Sequence, residues 1–316
     1  MSNYINKIGL IGLGLMAQDY AKVLQEIKAP VIAIGRSETK VKAFKDATGI
    51  DAISGGIEKY LDNNSVLETC IVAVDLLQLA PVTIYLLNKG VKNILLEKPG
   101  GMTVSEIEAI KQLAHLKNAH VYIAYNRRFF ASVIKAKKLI ESDGGVKSMH
   151  FEFTEWSHII RNLDKPTEVK ENWMLANSSH VIDMAFYLAG SPEQMQTFQS
   201  GTLDWHSKAA VFGGAGLTKN GALFTYHANW ASAGRWGLEI MTSKRKLILC
   251  PLEKLKEMKV GEIKITDVEL DDAEDLQFKP GLKKQVEAFL RGDKKNLIDI
   301  EEQYQNVINT YNKILI

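Results

Sequence analysis

The chain has 316 residues, 46% of them hydrophobic and 24% charged, which is enough for two ordinary globular domains. Its 39 basic and 37 acidic residues are mixed along the chain and leave a net charge of +2, which argues against nucleic acid or an anionic membrane as a partner. Cys70 and Cys250, the only cysteines, suit neither a disulfide framework nor a metal cluster; no apolar run approaches the roughly 20 residues that span a bilayer, and Met1 to Lys7 lacks the apolar core of a signal peptide, so a cytoplasmic protein without a metal is expected.

In chain order, Lys7-Ile8-Gly9-Leu10-Ile11 reads as a strand, Gly12-Leu13-Gly14-Leu15-Met16-Ala17 as a G-x-G-x-x-A turn, and Tyr20, Val23, Leu24 and Ile27 as the apolar side of a helix. Gly12 permits a tight turn, Gly14 lets backbone approach a pyrophosphate, and Ala17 lets the helix pack close to the strand. The N–H groups at the helix start then face an anion, with Leu15 and Met16 beside it. The second strand, Val31 to Ile34, ends in Gly35-Arg36-Ser37, with Lys40 following. No acidic residue stands where a ribose 2′-hydroxyl would be held; Arg36, Ser37 and Lys40 instead suit a 2′-phosphate, which favours NADP and leaves NAD open if Arg36 is solvated or stacks on adenine.

A short helix at Ile57 to Leu61, a strand at Thr69 to Val74 and a helix from Pro81 to Asn88 form the next unit. Asn93-Ile94-Leu95-Leu96 then reads as a buried strand ending in Glu97-Lys98-Pro99-Gly100-Gly101. Ligands bind outside the carboxyl ends of strands in open α/β sheets, so Glu97 and Lys98 are expected to face a cleft. Thr103 or Ser105 caps a helix through Leu116, and Val121 to Ala124 is a fifth strand. The fold class is α/β, with a doubly wound parallel sheet in a dinucleotide-binding domain spanning residues 1–125.

Residues 126–316 change pattern. A helix at Val133 to Ile140 precedes a long alternating strand at Lys147 to Phe153, and strands follow at Gln194 to Leu203, Ala209 to Phe212, Ala222 to Trp230, Leu238 to Thr242, Lys246 to Leu249 and Glu262 to Leu270. Strands in a run predict a largely antiparallel open sheet in an α+β domain, with turns at Gly213-Gly214, Lys219-Asn220-Gly221 and Ala233-Gly234. Two closing helices, Leu282 to Arg291 and Ile300 to Leu315, are expected to return to the first domain.

Between these strands lies Asn177-Ser178-Ser179-His180-Val181-Ile182-Asp183, where Asn177 or a serine is expected to cap a helix that stops at Gly190. Helical spacing puts Val181, Ile182, Ala185 and Phe186 on one face and His180, Asp183 and Tyr187 on the other. That polar face reads either as a solvated surface with a His-Asp pair or as part of a site. Trp173, Trp230 and Trp236 suit a core, with stacking on a sugar ring as the other use of such residues.

Gly12-Leu13-Gly14, Glu97-Lys98-Pro99, Tyr125-Asn126-Arg127-Arg128-Phe129 and His180-x-x-Asp183 together resemble, in order and spacing, the Gfo/Idh/MocA oxidoreductases over essentially the whole chain. The resemblance implies a Rossmann domain joined to an α/β domain whose open sheet forms a homodimer or homotetramer interface. It implies reversible hydride transfer between the nicotinamide of NADP or NAD and a hydroxyl-bearing carbon of a sugar, cyclitol or sugar nucleotide. Lys98, between substrate hydroxyl and nicotinamide ribose, and His180, as acid/base, are the implied catalytic pair. Val74 and Glu97 are expected to join Lys98 and the glycine-turn residues on the cofactor, and Asn126, Arg127, Arg128, Asn172, Trp173 and Asp183 to meet the substrate. Imidazole suits proton transfer near neutral pH, a lysine stabilises a developing alkoxide, and an arginine grips a carboxylate or phosphate. At least one of Arg127 and Arg128 is expected to pair across the domain interface instead.

The chain departs from the family where many members have an Asp four residues before the helix His, here Ala176, and a polar turn after strand three, here Val74-Asp75-Leu76-Leu77. Asn172-Trp173 and Asn177 to His180 look more like a subgroup associated with surface-polysaccharide sugars. Two other readings are therefore kept: a nucleotide-binding sensor or assembly protein without net redox chemistry, and a glycoside-processing enzyme that retains its NAD.

Overall fold

The computed structural model of the protein describes residues 7–315; residues 1–6, read above for a leader sequence, lie outside them. The chain divides into two compact units. One runs to Tyr125 and takes in Gln277–Tyr304, and the other comprises Asn126–Leu276 and the residues from Gln305 on.

The first unit is built on β1 (Ile8–Ile11), β2 (Val31–Ile34), β3 (Ala52–Ile53), β4 (Thr69–Val72), β5 (Asn93–Glu97) and β6 (His120–Ala124), alternating with helices α1 (Leu15–Glu26), α2 (Glu38–Thr48), α3 (Gly56–Asn63), α4 (Leu79–Lys89) and α5 (Val104–Lys117). All four residues of β1 are buried, as a strand at the centre of a sheet covered on both faces requires. The parallel order is β3-β2-β1-β4-β5-β6, and a late strand, Ile298–Asp299, adds antiparallel to β6, making seven strands among the described residues. Two local signals fix the helix ends. Thr103 and Glu106 form a reciprocal capping box at the start of α5, and α4 stops at Gly90, whose φ of 99° a side chain would resist.

The second unit opens with α6 (Ala131–Ser142) and β7 (Ser148–Glu152), and the short helices α7 (Ser157–Ile160) and α8 (Thr167–Glu171) lead to α9 (Ser179–Ala189). The strands β8 (Pro192–Ser200), β9 (Val211–Thr218), β10 (Leu223–Asn229), β11 (Gly237–Met241), β12 (Arg245–Leu249), β13 (Lys256–Lys259) and β14 (Thr266–Asp267) complete an eight-stranded sheet in the order β14-β13-β12-β11-β7-β10-β9-β8. It is antiparallel except where β7 and β10 run parallel. Helix α9 lies on one face, where Phe186 meets Phe151 and Phe224 edge on at 5.6 and 5.1 Å between centroids. After α10 (Ala273–Gln277) the chain forms α11 (Leu282–Arg291), packed on α1, then β15 (Ile298–Asp299) and α12 (Ile300–Asn306).

Several expectations are corrected. Gly213-Gly214 is not a turn but lies inside β9, because aromatic rings of β10 occupy the space its side chains would need: a Cβ on Gly214 would come within 2.5 Å of the Tyr226 ring. The strand expected at Glu262 to Leu270 shrinks to Thr266–Asp267, and β13, Lys256–Lys259, takes the place beside β12 instead. The closing helix expected from Ile300 to Leu315 is interrupted by a π-helical turn at Val307–Tyr311. No side chain caps α9, since the π-helical turn Met174–Ser178 runs straight into it.

Candidate functional site

In the first unit the glycine turn has the shape a dinucleotide requires. Gly12 has φ of 108°, and a Cβ there would overlap the Ala73 carbonyl oxygen, so only glycine lets β1 turn so close to the end of β4. A Cβ on Gly14 would meet nothing within 4 Å, which leaves open space in front of the backbone. No side chain caps the first turn of α1 and no acidic residue stands in it, while Leu15 is 81% exposed. The first N–H groups of a twelve-residue helix therefore face outward toward a place for an anion, and the residues present fit the pyrophosphate of a dinucleotide. Ala17 is fully buried under the turn, Met16 is half-buried, and Val74 follows β4 at the same sheet edge.

Arg36, Ser37 and Lys40 are all exposed at the end of β2. Ser37 Oγ accepts from Lys40 N at 3.4 Å as the cap of α2, and its own hydroxyl proton stays available to a ligand oxygen.

Glu97 and Lys98 stand half-buried where β5 ends, and the Lys98–Pro99 peptide is cis. The Glu97 carboxylate accepts the hydroxyl of the buried Tyr20 at 2.7 Å. Burial pushes the Glu97 carboxyl above its ordinary range, opposed by the Tyr20 bond and the Lys98 charge, and burial followed by the Glu97 charge pushes Tyr20 well up. Gln303 of α12 is fully buried and donates from Nε2 to the Pro99 carbonyl at 2.8 Å and to Tyr125 Oη at 3.2 Å. Glu97 thus spends hydrogen-bonding capacity on α1, and the Lys98 loop is held on both sides by residues far from it in sequence. Neither Tyr20, which reads only as an apolar helix position, nor Gln303 carries a sequence signal for this role.

In the second unit, the polar face of α9, for which a solvated surface is one of two readings, is buried: His180 is 6% exposed and Asp183 3%. Asp183 accepts from Arg128 Nε at 2.9 Å and Nη2 at 2.6 Å, a bidentate pair with almost no solvent contact. The Arg128 guanidinium also lies 4.8 Å from the Tyr187 ring. The two residues expected to meet substrate are therefore committed to each other, while Asn126 is buried nearby in sequence. Arg127 instead stacks over Trp236 at 4.9 Å, and the His180 ring lies 6.3 Å from the same indole. Asn172 donates back to the Glu168 carbonyl at 2.9 Å, and Trp173 is buried edge-on against Trp205 at 6.3 Å. Trp230 is fully buried, its indole N–H donating to the Phe153 carbonyl.

The sequence gives no sign of Glu155. Its carboxylate has 2% of its side chain exposed and accepts from Ser178 Oγ at 2.7 Å and from Asn177 Nδ2 at 3.0 and 3.1 Å. Burial raises its carboxyl, opposed by those bonds and by the charge of Arg235. Asn177 and Ser178, read as helix caps, tie the turn before His180 to this carboxylate instead. A cleft of about 700 Å³ opens in the same unit, bordered by Trp156, His158, Arg161 and Gly234. Among the described residues no group of three or more His, Cys, Asp or Glu could hold a metal, and no helix is long and apolar enough to cross a membrane.

Residues 6–125 match a family model described as "Oxidoreductase family, NAD-binding Rossmann fold", labelled GFO_IDH_MocA. Over 255 residues, 74% of this chain and 69% of the relative, the sequence is 23% identical to a Bacillus subtilis (strain 168) protein named scyllo-inositol 2-dehydrogenase (NADP(+)) IolW. Among solved structures, levoglucosan dehydrogenase in complex with NADH superposes with a TM-score of 0.78 at 19% identity, covering 98% of this chain and 95% of that one. UDP-N-acetylglucosamine 3-dehydrogenase GnnA from Acidithiobacillus ferrooxidans gives 0.75 at 14% identity, covering 97% and 96%.

Proposed function

We propose that this chain, whose residues 6–125 match the Gfo/Idh/MocA oxidoreductase model, catalyses NADP-preferring hydride transfer to or from a hydroxyl-bearing carbon of a sugar, cyclitol or sugar nucleotide. The observation that carries the reading is the first unit's sheet edge, where the uncapped α1 and the Glu97-Lys98-Pro99 loop stand at the ends of strands in one parallel sheet. The named chemistries of the relatives, which act on an inositol, an anhydrosugar and a sugar nucleotide, support the substrate class.

When bound, the nicotinamide donates or accepts the hydride. The first-turn N–H groups of α1 hold the pyrophosphate, and Arg36, Ser37 and Lys40 bind the 2′-phosphate, in keeping with the NADP named for the B. subtilis relative. Lys98, held at the end of β5, stabilises negative charge as a hydroxyl becomes an alkoxide. His180 takes the hydroxyl proton in oxidation and returns it in reduction, and Arg127 contacts substrate from beside Trp236. Arg128 and Asp183 hold α9 in place rather than binding the sugar.

Self-association through the second unit's sheet is part of the proposal. Phe198 and Leu223 are 72% and 63% exposed on its open face, and sedimentation of the Phe198→Glu variant should report a smaller species than the parent protein. The unpaired thiols of Cys70 and Cys250 fit a cytoplasmic setting.

The reaction is tested by following NADPH formation with a panel of polyols, aldoses and sugar nucleotides. Turnover with at least one is expected, and Lys98→Ala should lower it roughly 10²- to 10⁴-fold while calorimetric NADPH affinity is kept. Unaltered turnover in that variant would remove Lys98 from the reaction, and absence of turnover across the panel would favour a nucleotide-binding role without redox chemistry. Arg36→Ala should weaken NADPH binding and leave NADH binding unchanged; equal loss of both would refute the assignment of the 2′-phosphate.

A further inference from the structure

Arg235, which follows the cleft-lining Gly234 and stacks on the cleft-lining Trp156, has no part in the reaction above. Its guanidinium carbon lies 4.6 Å from the centre of the Trp156 ring and 4.8 Å from that of Trp236. Stacking of this kind restrains a guanidinium by its flat faces and leaves the N–H groups in its plane to bind something else. The charged partner within reach is Glu155, at 3.9 Å, too far for a hydrogen bond, so that pair orients Arg235 without using its donors. No N–H of Arg235 donates a hydrogen bond among the described residues, although its side chain is only 48% exposed.

The surroundings match this unspent donor set. Trp156, 44% exposed, borders the cleft and is anchored by its indole N–H to the Gly234 carbonyl at 3.0 Å, which offers a fixed flat surface for a sugar ring. Arg161 stands on the same cleft, half-exposed and paired with Asp204. The indole nitrogen of Trp236 is buried without an acceptor among the described residues, and that ring neighbours His180. A rigid guanidinium with free in-plane donors, next to an exposed indole, is chemistry for an oxyanion attached to a ring.

We propose that the cleft binds an anionic sugar, one carrying a carboxylate or a phosphate, with Arg235 as the ligand of the anion and Trp156 as the platform for the ring. The inference rests on the sugar oxidoreductase reading and narrows its substrate class. A neutral polyol leaves Arg235 unused and is a poor substrate; a uronate or a sugar phosphate engages it bidentately.

The test is calorimetric titration of the full-length protein, with NADP present, by glucuronate, glucose 1-phosphate and glucose. At least one anion should bind roughly tenfold or more tightly than glucose, the stronger one telling carboxylate from phosphate. Arg235→Gln should erase the difference without altering NADP affinity, and Trp156→Ala should weaken the sugar anion but not inorganic phosphate. Glucose binding as tightly as both anions to the parent protein overturns the proposal, as does an undiminished preference in Arg235→Gln. The first of these is read on the unaltered protein, so a variant that fails to fold does not shield the inference. Anion preference without any hydride transfer would strike the proposed reaction and leave the anion site standing.

Discussion

Asp183 shows how a residue's type can be read correctly and its employment missed; a pairing is expected of Arg127 or Arg128, and Arg128 makes an ion pair, with a partner the local pattern does not name. An arginine at a domain boundary and an aspartate three positions after a histidine suit a substrate, and the resemblance implies that role, but the structure spends both on a bidentate pair with 6% and 1% side-chain exposure. A partner 55 residues away leaves no trace in local pattern. Removing one member strands a buried charge, so Arg128→Ala and Asp183→Ala should each lower stability by about 3–5 kcal/mol in urea unfolding, whereas replacing both by apolar residues of similar size should cost much less. Glu155 gives a pH prediction. Its carboxyl is raised in the fold, so the folded state holds the proton more tightly than the unfolded one; the stability this contributes is complete below the carboxyl's ordinary value and is lost as pH rises through the raised value. Urea midpoints of Glu155→Gln between about pH 4 and about pH 8 should therefore fall less with rising pH than those of the parent protein. An identical slope would mean that folding leaves the Glu155 carboxyl where it stands in the unfolded chain.

At the scale of elements, the glycines of β9 carry a second prediction. A Cβ on Gly216 would collide with the Gln194 carbonyl oxygen and lie 2.6 Å from the Phe224 ring, so Gly216→Ala must part β8 from β9 or expel an aromatic ring. A loss on the order of 2 kcal/mol or more is expected by thermal unfolding, against little change for Gly221→Ala in the following turn beyond the strain of its φ of 79°. The same glycines explain what was legible. The first unit reads well because buried strands, a G-x-G-x-x-A turn and glycine-stopped helices are local events; β1, β2 and the strand delivering Glu97 all lie where the pattern puts them. In the second unit Gly213-Gly214 looks like a turn, because the rings of β10 that demand small residues are remote in sequence. Helix α9 itself was legible from its periodicity, but not the π-helical turn before it, which replaces the expected cap with bonds from Asn177 and Ser178 to a carboxylate more than twenty residues upstream. Glycine turn, Lys98 and His180 were readable as candidates; their supports, Tyr20, Gln303 and Glu155, were not, since each acts through a single long-range hydrogen bond or a small set of them.

On the scale of the whole molecule, the first unit is discontinuous. Its sheet edge at β6 is completed by β15, Tyr122 packs edge on against Phe289 at 6.2 Å, and the Lys98 loop is held by Gln303, all supplied after the second unit's main segment has been traversed. A fragment of residues 1–125 should therefore behave as a loosely packed species with little NADPH affinity, and joining it through a short linker to residues 277–304 should restore cooperative unfolding and binding. A fully cooperative 1–125 fragment would show that the returning segment is dispensable. The chain passes between the units three times, at Tyr125/Asn126, Leu276/Gln277 and Tyr304/Gln305, and this has a consequence for its making. At ribosomal speeds of about 5–20 residues per second, roughly eight to thirty seconds separate the emergence of β6 from that of Gln277. Through that interval the nascent sheet has an open edge at β6 and a Lys98 loop without its Gln303 support, so the chain is exposed to wrong pairing for as long as its own closing segment is still being made.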